Sequence, residues 1–173
     1  HVVLVRHNSY LFKGTVEENL RMAKPDATKE EMEAVLQKVN LLGFLQTQNG
    51  LQTELLEKAG NLSGGQCQRL VIARALLRSD SAVYIFDEAA SNIDVESEEL
   101  IMNVIHELAK TKTVLLISHR LANVVQSDQI YFLKNGTICE RGTHAELMEQ
   151  NGAYRHLYDS QMVLENYGKE GNA

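Results

Sequence analysis

Three short, uninterrupted apolar runs stand out from the mixed polar background of the chain. They are VVLV at residues 2–5, AVYIF at 82–86 and TVLLI at 113–117. Runs of this length without polar alternation are typical of strands that are covered on both faces. Between the last two runs, apolar residues recur at helical spacing and predict an amphipathic helix over residues 95–109. The recurring positions are Leu100, Ile101, Val104, Ile105 and Leu108.

Pairs of polar residues mark the starts of three further helices. Thr15 with Glu18, Thr28 with Glu31, and Ser63 with Gln66 each have the spacing of a capping box, in which two side chains satisfy each other's backbone N–H groups. They predict a helix from Thr15, an acidic helix over residues 29–39 and a long helix after Ser63. Residues 40–60 show no clear period and are expected to be irregular.

The last third of the chain has a hairpin signal. Asn135-Gly136 lies between QIYFL and TICE, and this dipeptide favours the tight turn of a β-hairpin. Two short helices are expected to close the chain, one from Thr143 and one after Gly152. Because strands alternate with helices, the sequence predicts an α/β domain with a mostly parallel sheet.

Composition and charge exclude some classes of function. The chain has 173 residues, which is enough for one domain with a substantial core. Its net charge of −6 argues against sequence-independent binding of nucleic acid, which needs a basic surface. No apolar run approaches the roughly 20 residues that a membrane-spanning helix needs. The chain starts at His1 inside an apolar run, so we expect it to be part of a longer protein.

The stretch NLSGGQ has the features of an anion-binding loop. Ser63 precedes a long helix, and Gly64 and Gly65 allow a ligand to approach the backbone N–H groups at the positive end of the helix dipole. The glycine spacing resembles that of a P-loop, but Gln66 and Cys67 stand where Lys and Ser or Thr should follow. No complete P-loop motif occurs in the sequence.

Two strands end in residues that carry chemistry. Asp87 and Glu88 follow the run AVYIF, and Ser118 and His119 follow TVLLI. The carboxyl ends of parallel strands are where α/β proteins bind ligands. The two carboxylates suit a hydrated Mg²⁺ and a general base. The alternative is that Asp87 and Glu88 begin the turn into the next helix and that His119 is structural.

The order of these motifs resembles that of the ATP-binding cassette family. LSGGQ resembles the signature loop, VYIFDE the Walker B strand with its catalytic glutamate, SNID at 91–94 the D-loop, and His119 the switch histidine. The segment TELLEKAGNLSGGQ is similar to the stretch before the signature in the exporter branch. The resemblance implies a P-loop NTPase-like α/β fold that is incomplete at its N-terminus. It also implies a helical signature subdomain at about residues 13–78, with 1–12 and 79–173 forming the remainder of the catalytic core.

The resemblance also implies a role for each motif. Two cassettes pair head to tail, so Ser63, Gly64, Gly65 and Gln66 bind the γ-phosphate of ATP held by the partner cassette. Asp87 positions Mg²⁺, Glu88 polarises the attacking water and His119 holds the γ-phosphate, while Ser91 and Asp94 belong to the D-loop. The implied protein is an ATPase at the cytoplasmic face of a membrane, bound to the transmembrane domain of an exporter, with ATP and Mg²⁺ as cofactors and no nucleic-acid partner.

Two departures from the family pattern keep alternatives open. The Walker A motif is absent from these residues, which predicts that the chain alone is inactive. His7 stands at the Q-loop position in place of Gln, and an imidazole is a poor ligand for Mg²⁺. One alternative is therefore a non-catalytic, regulatory cassette. Another is a soluble ABC ATPase of the DNA-repair kind, although the chain lacks the sustained heptads of its coiled coils.

Overall fold

The computed structural model describes the backbone of residues 1–170 and the side chains of residues 1–164. In chain order its strands are β1 (Val2–Arg6), β2 (Gly14–Thr15), β3 (Glu54–Leu55), β4 (Val83–Asp87), β5 (Thr113–Ile117), β6 (Ile130–Lys134) and β7 (Thr137–Gly142). Its α-helices are α1 (Val16–Arg21), α2 (Lys29–Lys38), α3 (Leu42–Gln46), α4 (Gly64–Leu76), α5 (Val95–Ala109), α6 (His144–Gln150) and α7 (Ala153–Glu170).

A parallel sheet of order β1-β4-β5 confirms the predicted α/β fold. The three strands are in register, so that Arg6, Asp87 and Ile117 end side by side at the carboxyl edge. Helices α4 and α5 pack on this sheet. The core includes the side chains on the inner face of the sheet, among them Val5, Tyr84 and Phe86.

The prediction of full burial is wrong for β1 and β5, whereas the outer residues of β4 are half-buried. Val2, Leu4, Leu115 and Ile117 are exposed, although they alternate with residues that face the core. Helices α4 and α5 both pack on the face that carries Val5 and Phe86, so within the first compact unit they leave the other face of the sheet uncovered. An apolar run shows that a strand can be buried, but not which neighbours bury it.

The predicted capping boxes are all present. The side chains of Thr15, Thr28 and Ser63 accept hydrogen bonds from the backbone of the third residue of α1, α2 and α4, and Thr143 does the same for α6. In each helix the side chain of that third residue accepts from the N-cap backbone in return. These boxes place the helix starts, because each one satisfies two N–H groups that the helix itself leaves without acceptors.

Two parts of the secondary structure differ from the prediction. Residues 40–60 are not simply irregular, since they contain α3, β3 and two 3₁₀ turns at Gly50–Gln52 and Glu57–Ala59. The closing helix α7 runs for 18 residues and is not short. Its first turn is fixed by Glu140, whose carboxylate accepts from the backbone N–H groups of Ala153 and Tyr154 at 2.5 and 3.1 Å.

The chain forms two compact units, residues 1–117 and 118–173. The first contains the parallel sheet and α1 to α5. The second contains the β6–β7 hairpin with α6 and α7, and the hairpin turns at Asn135 and Gly136, which have φ angles of 53° and 77°. The predicted hairpin is therefore confirmed, because positive φ at both central residues is the requirement of its tight turn. None of the described helices combines the length and apolar character that crossing a membrane requires.

Candidate functional site

The N-terminus of α4 has backbone N–H groups without acceptors among the described residues. Ser63 Oγ accepts from the backbone N–H of Gln66 at 3.2 Å, and Gln66 Oε1 accepts from the N–H of Ser63 at 2.9 Å. Among the described residues, nothing accepts a hydrogen bond from the backbone N–H of Gly64 or Gly65. These two N–H groups, with the hydroxyl hydrogen of Ser63, can therefore donate to an anion at the positive end of the helix dipole.

The structure brings this helix start against the 91–94 segment. A Cβ on Gly65 would lie 2.7 Å from Ser97 Cβ and 2.9 Å from Asp94 Oδ2, so Gly65 permits a close approach that a larger residue would block. Gly64 is open by comparison, because a Cβ there would meet only Ile93 Cγ2 at 4.0 Å. Two motifs separated by some thirty residues in the sequence, at 63–66 and 91–94, thus form one surface.

Asp94 is the N-cap of α5. Its Oδ1 accepts from the backbone N–H of Ser97 at 2.8 Å. The pKa of Asp94 is lowered from its ordinary value, chiefly by this backbone hydrogen bond and then by a hydrogen bond from the Ser97 side chain. Both interactions favour the charged carboxylate. Asp94 is therefore a stabilised anion directly beside the start of α4.

The carboxyl end of β4 holds the predicted acidic pair. Asp87 is the last residue of the strand, and Glu88 follows it with a left-handed backbone, φ 54°. The Glu88 N–H donates to the carbonyl of Ile117 at 3.0 Å, and its own carbonyl accepts from Ser91 Oγ at 2.9 Å. A non-glycine residue in this conformation costs about 1–3 kcal/mol, and such strained residues cluster at functional sites.

Arg6 at the end of β1 and His7 directly after it flank Asp87. The backbone N–H of His7 donates to the Asp87 carbonyl at 3.2 Å, and the His7 side chain is exposed. Arg6 Nε lies 4.0 Å from Asp87 Oδ2. Sequence reasoning missed Arg6. The signal for Arg6 was its place directly after the apolar run at residues 2–5, just as Asp87 follows the run at 82–86. Strand register was needed to pair the two residues.

Gln68 was missed as well. It lies on α4, five residues after Ser63, and its side chain is almost fully buried. Its Nε2 donates to the carbonyl of Arg6 at 3.3 Å. The helix that begins at the glycines is thereby tied to the end of β1.

His119 belongs to the second compact unit. It lies two residues after the end of β5, as the sequence predicted, and its carbonyl accepts from Gln161 Nε2 at 2.8 Å. The neighbouring Ser118 Oγ accepts from the N–H of Arg120 at 3.0 Å. These contacts hold the backbone of residues 118–120, and the assignment of His119 to the γ-phosphate stays a prediction.

The carboxylate at the end of β4 is a suitable ligand for a Mg²⁺ ion that binds together with a nucleotide. Within the described residues, no group of three or more His, Cys, Asp or Glu side chains could enclose a metal ion. Mg²⁺ does not require such a group, because it is commonly held by one or two carboxylates with water and substrate phosphates. The half-buried carboxylate of Asp87 fits this description.

Comparison with known proteins identifies a family and relatives of this chain. The profile of the ABC transporter family matches residues 1–91. An uncharacterized ABC transporter ATP-binding protein of Haemophilus influenzae is 52% identical over 172 residues, which is 99% of this chain and 30% of the relative. An ATP-dependent lipid A-core flippase of Mannheimia succiniciproducens is 44% identical over 163 residues, 93% of this chain and 28% of the relative.

A solved structure has the same fold. It is a bacterial Atm1-family ABC exporter with ATP bound, which superposes with a TM-score of 0.84 and 30% identity over 92% of this chain. The chain covers 28% of that structure. It thus spans less than a third of the length of each of these proteins.

Proposed function

This chain belongs to the ABC transporter family, whose members bind ATP, and we propose that it is the ATP-hydrolysing motor domain of an exporter. The names of its relatives support an exporter, since they include a lipid A-core flippase, putative multidrug export proteins and the Atm1-family structure. In this proposal the chain acts at the cytoplasmic face of a membrane and couples pairing of two cassettes to transport.

The observation that carries the proposal is the open start of α4. The N–H groups of Gly64 and Gly65 lack acceptors among the described residues and follow the exposed Ser63 in the chain, although Gly65 itself is buried against Ser97. Glycine-rich helix N-termini are common binding sites for phosphate groups. We assign Ser63, Gly64, Gly65 and Gln66 to the γ-phosphate of ATP held by a second cassette. Gln66 contributes through the capping box, which fixes the backbone conformation of the loop before α4.

The sheet edge supplies the remaining groups. Asp87 positions Mg²⁺, and this ion, when bound, neutralises charge on the phosphates. Glu88 accepts a proton from the attacking water, and its left-handed backbone fixes the direction from which the carboxylate reaches that water. His119 donates to the γ-phosphate, while Ser91 and Asp94 form the D-loop that faces the partner cassette. Phosphoryl transfer needs mainly such positioning and charge stabilisation.

The partner on the membrane side is a transmembrane domain. We assign its contact surface to residues 7–60, which contain the His7 turn and the acidic helix α2. Glu30 and Glu31 lie in the first turn of α2, where negative charge also favours the helix dipole. Contact with the transmembrane domain is compatible with this role in the helix, because a solvated charged face can bind a basic or polar segment.

The 173 residues alone should bind MgATP only weakly. They contain no motif that cradles the α- and β-phosphates, and donors exposed to water contribute about 0.5–1.5 kcal/mol each. Calorimetric titration of the purified chain with MgATP should therefore show no affinity tighter than about millimolar. Micromolar binding would contradict the assignment of residues 63–66 to a site shared with another cassette.

The catalytic proposal is tested by Glu88→Gln in the full-length protein. General-base groups contribute about 10²–10⁴-fold to rate, so ATPase activity should fall by that factor while ATP binding persists. The matched control is Glu99→Gln, which makes the same change on the exposed surface of α5 and should leave turnover unchanged. Turnover near normal in Glu88→Gln would remove Glu88 from the catalytic role.

A regulatory cassette is the second candidate function. The observation that favours it is His7, because the exposed imidazole at the turn beside Asp87 is a poor ligand for Mg²⁺. In that case the wild-type site hydrolyses no ATP, and Glu88→Gln changes nothing. Measuring basal ATPase in the wild-type protein and in a His7→Gln variant separates the two functions, since a regulatory site could gain activity from Gln.

A further inference from the structure

The guanidinium of Arg6 faces the carboxylate of Asp87. The two residues end neighbouring parallel strands and are direct register partners, so their side chains leave the sheet on the same face. Arg6 Nε and Asp87 Oδ2 are 4.0 Å apart. The side chains are 59% and 40% exposed, so this is an ion pair at the solvent-facing edge of the sheet.

The backbone of Arg6 is fixed from several sides. Its N–H donates to Ser9 Oγ at 3.0 Å, and its carbonyl accepts from the Ser9 N–H at 3.1 Å. The same carbonyl accepts from Gln68 Nε2 at 3.3 Å, and Gln68 is only 5% exposed. Because the Cα of Arg6 is held in this way, the guanidinium stays within side-chain reach of the carboxylate of Asp87.

A metal ion on Asp87 and the guanidinium of Arg6 are both attracted by the same carboxylate charge. Mg²⁺ binds Asp87 directly or through a water molecule, and in both cases its charge repels a guanidinium at this distance. The guanidinium of Arg6 must therefore move away when the metal ion binds. For exposed ion pairs, the interaction corresponds to about a 1.5- to 5-fold change in an equilibrium constant.

We propose that Arg6 sets the metal requirement of the nucleotide site. It neutralises Asp87 while the metal is absent, and it weakens Mg²⁺ binding by having to be displaced. This inference rests on the proposed role of Asp87 as the Mg²⁺ residue. Arg6 is thus a positioning residue that acts through Asp87 and takes no part in the chemistry itself.

The test measures metal binding directly in the full-length protein. The Glu88→Gln background is used so that ATP persists, and Mn²⁺ is the probe, titrated by electron paramagnetic resonance in the presence of ATP. Arg6→Met keeps the length of the side chain and removes its charge. We expect it to bind Mn²⁺ about 1.5- to 5-fold more tightly, whereas Arg6→Lys should stay close to the parent protein.

A matched control removes another exposed, ion-paired cation. Lys110 pairs with Glu107 and lies just before β5, at the amino edge of the sheet, so Lys110→Met should leave Mn²⁺ affinity unchanged. A second readout is salt. The difference between Arg6→Met and the parent should shrink as KCl rises from about 0.02 to about 0.5 M, because salt screens the exposed pair. A purely structural effect of the substitution would not depend on salt in this way.

The outcomes separate this inference from the proposed function. Equal Mn²⁺ affinity in Arg6→Met and its parent, while Asp87→Asn weakens binding, would overturn the role of Arg6 and keep that of Asp87. Unchanged Mn²⁺ binding in Asp87→Asn would overturn both. Tighter binding in Arg6→Met that disappears at high salt would establish the inference. In active protein, the Mg²⁺ concentration for half-maximal ATPase should then be lower in Arg6→Met by the same factor.

Discussion

Replacing Gly65 with Ala should destabilise the first compact unit, whereas the same change at Gly64 should not. Neither glycine has a positive φ, so an alanine adds no backbone strain at either position. The difference is space. At Gly65 the new Cβ would lie 2.7 Å from Ser97 Cβ and 2.9 Å from Asp94 Oδ2, whereas at Gly64 the nearest atom is 4.0 Å away.

The loss in the free energy of unfolding can be estimated from the displacement of Ser97. Carbon atoms in contact are optimal at about 3.5–4.0 Å, so Ser97 has to shift by roughly 1 Å. Ser97 is 5% exposed and donates to Asp94 Oδ1, so this shift disturbs the N-cap of α5. Overpacking costs about 1–3 kcal/mol and a damaged cap about 1 kcal/mol. A gain in helix propensity of about 0.5–1 kcal/mol offsets part of this. The net loss is about 1–3 kcal/mol.

Equilibrium unfolding in urea, followed by circular dichroism of the chain, measures this loss. With a slope of about 2 kcal/mol per molar urea, the midpoint of Gly65→Ala should fall by about 0.5–1.5 M. Gly64→Ala should match the parent chain or exceed it slightly. If both variants unfold at the same urea concentration, the close contact between α4 and the start of α5 is not present in solution.

Two further predictions concern the same surface. Gln66→Glu should keep the capping box, because Glu also accepts from an N-cap N–H, but it places negative charge beside the proposed phosphate site. ATPase of the full-length protein should fall while its thermal unfolding is unchanged; equal ATPase would argue against phosphate binding there. The lowered pKa of Asp94 means that the folded chain binds fewer protons than the unfolded chain, so this stabilisation is present above about pH 4 and is lost as pH falls through the folded pKa. Asp94→Asn keeps a good N-cap, so its urea midpoint should fall less between pH 7 and about pH 3 than that of the parent chain; an equal fall would contradict the cause assigned to the shift.

Local sequence rules predicted the helix starts and the strand ends well. A capping box such as that of Ser63 and Gln66 lies within four residues, and its energetics do not depend on the rest of the fold. The same holds for the turn at Asn135-Gly136, where backbone conformation alone decides. The end of the apolar run at 82–86 is also a local signal, so the positions of Asp87 and Glu88 at a strand end could be predicted without the structure.

Contacts between distant segments could not be predicted in this way. The pairing of Arg6 with Asp87 depends on strand register over about eighty residues of chain, and no local pattern encodes it. The buried amide of Gln68 was hidden for the same reason, because a glutamine on a helix is usually exposed. The open face of the sheet was missed because apolar runs report a capacity for burial and not its presence.

The left-handed backbone at Glu88 restricts which residues the position tolerates, whatever chemistry it performs. Glycine fits such a φ without cost and asparagine fits it well, whereas β-branched residues fit it worst. If all twenty amino acids were tested at position 88, their order by yield of folded protein would therefore differ from their order by ATP turnover. Yield of folded protein would favour Gly and Asn, while turnover would favour Glu. If Glu88 has the proposed catalytic role, the acid at this position serves activity at the expense of stability.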